Sequence, residues 1–164
     1  MKPAQISDIH LNSDRKPLEG IDTWSHFDLV LKDAVGAGSE YLIFSGDVCN
    51  DEEDTDASRL FREAVEQYNL PYAVIPGNHD SPETIRKVFP EQEYPADMGA
   101  FYRLDLAGMP VLFLDTSAEV IDEAQYLWIA EQTENTGRAF TVFMHHPPLL
   151  LRYAVYGHEL PPGR

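Results

Sequence analysis

Along the chain, short apolar runs alternate with longer stretches in which apolar residues return every third or fourth position. Ala4 to Ser7 reads as a short first strand. From Thr23 onward, Trp24, Phe27, Leu31 and Val35 form a helical stripe, with Asp22 placed to cap it and Gly36 and Gly38 to end it. Tyr41-Leu42-Ile43-Phe44 is a continuous apolar run, the pattern of a buried strand. Leu60, Phe61, Ala64, Val65 and Tyr68 mark a second helix starting near Asp54 or Thr55. Pro71 to Ile75 predicts a strand and Pro82 to Val88 a short helix. Phe101 to Leu106 and Val111 to Leu114 predict an antiparallel pair joined by Ala107-Gly108-Met109-Pro110. Asp122 to Glu134 predicts a helix carrying Tyr126, Leu127 and Ile129, and Phe140 to Met144 a last strand before Pro-rich coil. Strands alternating with helices imply an α/β fold, with a mixed, largely parallel central sheet and flanking helices.

With 164 residues, 43% hydrophobic and 24% charged, one globular domain spanning the chain is expected. The net charge of −16 argues against nonspecific nucleic-acid binding and against docking on anionic lipid. It leaves a phosphate ester open as substrate, because bound cations reverse a local field. Cys49 is the one cysteine, which excludes an intrachain disulfide and a multi-cysteine zinc site. No signal peptide and no membrane-length apolar run is present, so a cytoplasmic address is expected.

The polar residues matter by position. Asp8 and His10 follow the first strand, Asp47 the second, Asn78 and His79 the third, Asp115 the strand at Val111, and His145 and His146 the last. Ligands of open α/β sheets bind outside the carboxyl ends of the strands, where parallel strands gather such groups. Carboxylate, imidazole and amide oxygen together suit a hard or borderline divalent metal. Each piece alone has a plainer reading. Gly46-Asp47 and Gly77-Asn78 are ordinary turn dipeptides, and His145-His146 before two prolines could be a core histidine and a loop residue. The acidic run Asp51, Glu52, Glu53, Asp54 and Asp56 reads as a solvated loop favouring a helix N-terminus, with a Ca²⁺ loop as the alternative. Asp115 reads as a structural turn or an outer acid rather than a ligand.

In combination, Asp8-x-His10, Gly46-Asp47-x-x-Asn50, Gly77-Asn78-His79-Asp80 and Met144-His145-His146-Pro147 resemble the calcineurin-like metallophosphoesterases. The run His145-His146-Pro147-Pro148 is most similar to class III cyclic nucleotide phosphodiesterases and the related glycerophosphodiesterases. The resemblance implies an α/β sandwich with a dinuclear centre of Mn, Fe, Zn or Co. It implies Asp8 and His10 on one metal, Asp47 bridging both, and Asn78 and His145 on the second. It implies His79 beside the metals, contacting the phosphoryl group or protonating the leaving oxygen, with Asp80 orienting it. Asn50 falls where relatives place a metal ligand or a substrate contact, and His146 at an outer or substrate-facing position; His158 reads as a loop residue, with a substrate-loop histidine as the alternative. The implied reaction is hydrolysis of a small-molecule phosphate ester, above all a phosphodiester, by a metal-bridging hydroxide.

One departure stands out. Nothing after His145 matches the Gly-His-x-His that closes the site in this family; Gly157-His158-Glu159-Leu160 has no second histidine. The expectation is a domain that stops short at its C-terminus, with weakened metal binding and an uncovered sheet edge inviting homo-oligomers. The rival readings are a non-catalytic binding scaffold and an inactive fragment.

Overall fold

The computed structural model describes residues 1–95, 99–134 and 139–148. The element order is β1 (Pro3–Ile6), α1 (Thr23–Gly36), β2 (Tyr41–Ser45), α2 (Thr55–Glu66), β3 (Tyr72–Ile75), α3 (Pro82–Val88), β4 (Tyr102–Leu106), β5 (Met109–Phe113), α4 (Glu123–Thr133) and β6 (Thr141–Phe143). All four described helices start on a side-chain acceptor. Asp22, Asp54, Ser81 and Asp122 each bond the backbone N–H three residues on, satisfying a donor that the first turn leaves open.

The α/β character matches the sequence reading, but the sheet is divided. β1, β2 and β3 form one parallel three-stranded sheet. β4, β5 and β6 form a second, in which β4 runs antiparallel to β5 and β6 parallel to it. Side chains of β2 explain the arrangement. Leu42 and Phe44 face α1, α2 and α3, packing with Phe27, Leu31, Phe61, Val65 and Ile85. Tyr41 and Ile43, on the other face, pack against Tyr102, Leu106, Val111 and Phe113 of the second sheet. A strand covered on both faces has no polar side to show, hence the unbroken apolar run. The β4–β5 connection is tighter than expected. Ala107 and Gly108 both have positive φ, 54° and 80°, and Met109 and Pro110 already pair with Leu106 and Asp105.

Tyr102 ties the sheets together. Its hydroxyl donates to Val74 O at 2.8 Å and accepts from Val74 N at 3.0 Å, closing the free edge of β3. Burial holds this phenol's pKa well above its ordinary value, so it keeps its proton. Tyr102→Phe is expected to cost about 2 kcal/mol in a denaturant titration, because it leaves a buried N–H unpaired.

In α4 the apolar pattern misleads. Tyr126 and Leu127 are 60% and 67% exposed, whereas Gln125 is 2% exposed. The Gln125 amide accepts from Asp115 N and donates to Asp115 O, both at 2.8 Å, standing in for a strand partner just past β5. No helix among the described residues is long and apolar enough to cross a membrane.

Candidate metal centre

Beyond Ile6 and Ser45 the chain leaves regular strand, yet the two segments stay zipped. Asp8 N bonds Gly46 O, Ile9 N and His10 N bond Asp47 O, and Leu11 N bonds Val48 O, all at 2.8–3.1 Å. Within this ladder Asp8, His10 and Asp47 take left-handed φ of 56°, 50° and 52°. Non-glycine residues adopt that region at a cost of about 1–2 kcal/mol each. The result is useful. Ile9 and Leu11 turn into the core, while Asp8 and His10 are left at the rim beside buried Asp47.

Two glycines make the room. A Cβ at position 77 would overlap the Asp47 carboxylate and stand 2.5 Å from its backbone N. A Cβ at Gly46, whose φ is 99°, would overlap the His145 ring. These close approaches bring chain segments about 30 and 100 residues apart in sequence onto one carboxylate.

Asp47 is the meeting point. Its Oδ2 lies 3.6 Å from His10 Nε2 and 3.4 Å from His145 Nε2. Those separations match neighbouring corners of a tetrahedral shell with bonds of ~2.1 Å, which are ~3.4 Å apart. Its Oδ1 accepts the His79 backbone N–H at 3.0 Å. Two groups of ligand atoms, each within 4.8 Å of one another, share it: His10, Asp47 and His79, and Asp8, Asp47 and His145. This partition differs from the expected one, which set Asp8 with His10 and kept His79 for the substrate.

Backbone carbonyls orient the rings. His145 Nδ1 bonds Ser45 O at 3.0 Å and His79 Nδ1 bonds Asn50 O at 2.9 Å. A carbonyl only accepts, so each Nδ1 carries the proton and each Nε2 offers a lone pair, the form in which imidazole binds metal. The two carboxylates and three imidazoles therefore fit divalent cations, with the tautomers of His79 and His145 already set, while the Asn78 amide oxygen faces His146 Nε2. Neither Ser45 nor Asn50 leaves a side-chain signal for these roles, which is why sequence reasoning found no orienting part for them.

Asp80 corrects an expectation. Its carboxylate does not meet the His79 ring; it accepts from Val48 N (3.1 Å), Cys49 N (2.9 Å) and Gly77 N (2.9 Å). Burial raises its pKa even against those three bonds. It is a buried clamp between the loops after β2 and β3, and Asn50's carbonyl holds the His79 ring instead. Asp115 is a turn residue, accepting from Ala100 N, Ser117 N and Ser117 Oγ. Asp54 caps α2 and binds Ser13 N, which gives the acidic run a structural anchor. Burial pushes the Cys49 thiol up to about 12, away from the thiolate that metals need. His146 lies beside Asn78 and Thr116. His158 lies outside the described residues.

The chain matches the family model described as calcineurin-like phosphoesterase over residues 1–162. It is 31% identical, across 92% of its length and 58% of the relative's, to a protein of Fibrobacter succinogenes named a probable cyclic nucleotide phosphodiesterase. It is 29% identical, across 90% of its length and 57% of the relative's, to a glycerophosphodiester phosphodiesterase of Enterobacter lignolyticus. A Synechococcus protein named a probable cyclic nucleotide phosphodiesterase is 27% identical over 90% of the chain and 58% of the relative. The chain thus spans less than three-fifths of the length of these relatives.

Proposed function

The chain belongs to the calcineurin-like phosphoesterase family, and from that premise we propose that it hydrolyses a phosphodiester of the cyclic nucleotide or glycerophosphodiester type with two divalent cations. The observation that carries this reading is a single buried carboxylate, Asp47, common to two ligand groups. In this reading Asp47 would bridge, Asp8 and His10 would serve one cation, and Asn78 and His145 the other, a pairing that rests on the family resemblance; the side-chain groups themselves set Asp8 with His145 and His10 with His79. Bound there, the cations would supply Lewis acidity, lowering the pKa of water and neutralising phosphoryl charge. The protein's own part is placement. Gly46 and Gly77 let His145 and Asp47 converge, and the Ser45 and Asn50 carbonyls keep the imidazole Nε2 atoms turned to the centre.

His79 has the position of an acid. With Nδ1–H tied to Asn50 O, Nε2 is the nitrogen that would take up a proton from solvent and pass it to the leaving alkoxide, and the His79 main chain is pinned to Asp47. Mn²⁺ uptake by the purified chain, with turnover of bis(nitrophenyl) phosphate, tests the proposal; no metal bound would refute it. His79→Ala is expected to slow an alkyl diester about 100-fold. A nitrophenyl diester, whose leaving group needs no proton, should slow far less. Equal losses on both would remove the acid role.

A further inference from the structure

Asn78 is the odd member of the donor set. A carboxylate presents the same atom whichever way it turns, and the His79 and His145 rings are fixed by carbonyls. A side-chain amide has one end that binds cations and one that repels them, so it needs something to choose its orientation. Resting on the reading just given, we propose that His146 is a positioning residue that sets the Asn78 amide.

The ring is held from one side. Its Nδ1 stands 2.6 Å from Thr116 O, and its backbone N–H donates to Thr116 Oγ1 at 3.0 Å. Thr116 is itself buried, just past β5, so the anchor belongs to the second sheet. The carbonyl fixes the proton on Nδ1 and leaves Nε2 with a lone pair. That lone pair lies 3.1 Å from Asn78 Oδ1. Two acceptors facing each other at that distance repel. Rotating the amide by half a turn places Nδ2 there, forms an N–H to Nε2 hydrogen bond, and releases Oδ1 for a cation. Both ring nitrogens are then engaged, one by Thr116 and one by Asn78. Of the two positions expected for His146, outer or substrate-facing, the proposal takes the outer one, which couples the loop after β6 to the loop after β3.

Calorimetric Mn²⁺ titration of the full chain tests this without any substrate. His146→Ala should weaken Mn²⁺ binding about tenfold or more, the usual cost of losing a partner that orients a ligand. His146→Gln, which keeps an acceptor toward Asn78, should recover most of the loss and guards against a folding defect in the alanine variant. In an Asn78→Ala background, where no amide remains to be set, His146→Ala should cost less than about twofold. Equal cost in both backgrounds, or no cost in either, overturns the proposal. A wild-type chain that takes up no Mn²⁺ overturns the dinuclear reading and this one with it. A wild type that binds two ions with His146→Ala unchanged overturns this one alone.

Discussion

Asp47→Ala is expected to weaken Mn²⁺ binding by more than about a hundredfold and to abolish phosphodiester turnover, since both ligand groups lose their common member. The companion variant Asp47→Asn separates charge from shape. It keeps an oxygen for the His79 N–H but removes the negative charge that cations need. Asp47 also acts repulsively on Asp80, whose pKa it helps to raise. Without metal, Asp47→Asn should therefore raise the thermal midpoint, while in excess Mn²⁺ it should lower the midpoint relative to the unaltered chain. Opposite signs in the two conditions would mark a carboxylate retained for a ligand. Full Mn²⁺ occupancy by Asp47→Ala would refute the site.

The second large effect is expected at Asp80. Asp80→Ala strands three buried N–H groups, of Val48, Cys49 and Gly77. The relief of one desolvated charge offsets part of this, leaving a loss of about 3 kcal/mol in urea unfolding. A residue that served only to orient His79 would behave differently. Its removal would lower kcat and leave the urea midpoint in place, which is the outcome that would restore the role expected from sequence.

The helices and their starts were legible because the deciding interactions are local. Ser81 and Pro82 mark the start of α3 without help from tertiary structure, and Asp22 does the same for α1. The strand ends were legible for a similar reason: Asp8, Asp47, Asn78 and His145 stand where apolar runs stop. Partnership was not legible. Period alone tells that Tyr41 and Ile43 are buried, not that a second sheet covers them. Nor does it reveal that a tyrosine hydroxyl closes the edge of β3. Adjacency misled at Asp80, where proximity to His79 in sequence suggested a contact that the turn directs elsewhere. In α4, an apolar pair faces solvent because the helix is held by the amide of Gln125.

Left-handed backbone at Asp8, His10 and Asp47 bears on how such a chain would drift. Glycine would relieve about 1 kcal/mol at each position and leave the hydrogen-bonded ladder between the two loops intact. Folding alone thus pulls Asp8 and His10 toward glycine, whereas at Asp47 the bond accepted from the His79 N–H opposes that pull; beyond this, only a demand for their side chains holds the three sites back. A descendant released from that demand should lose its acids and imidazole there first, growing sturdier as it falls silent.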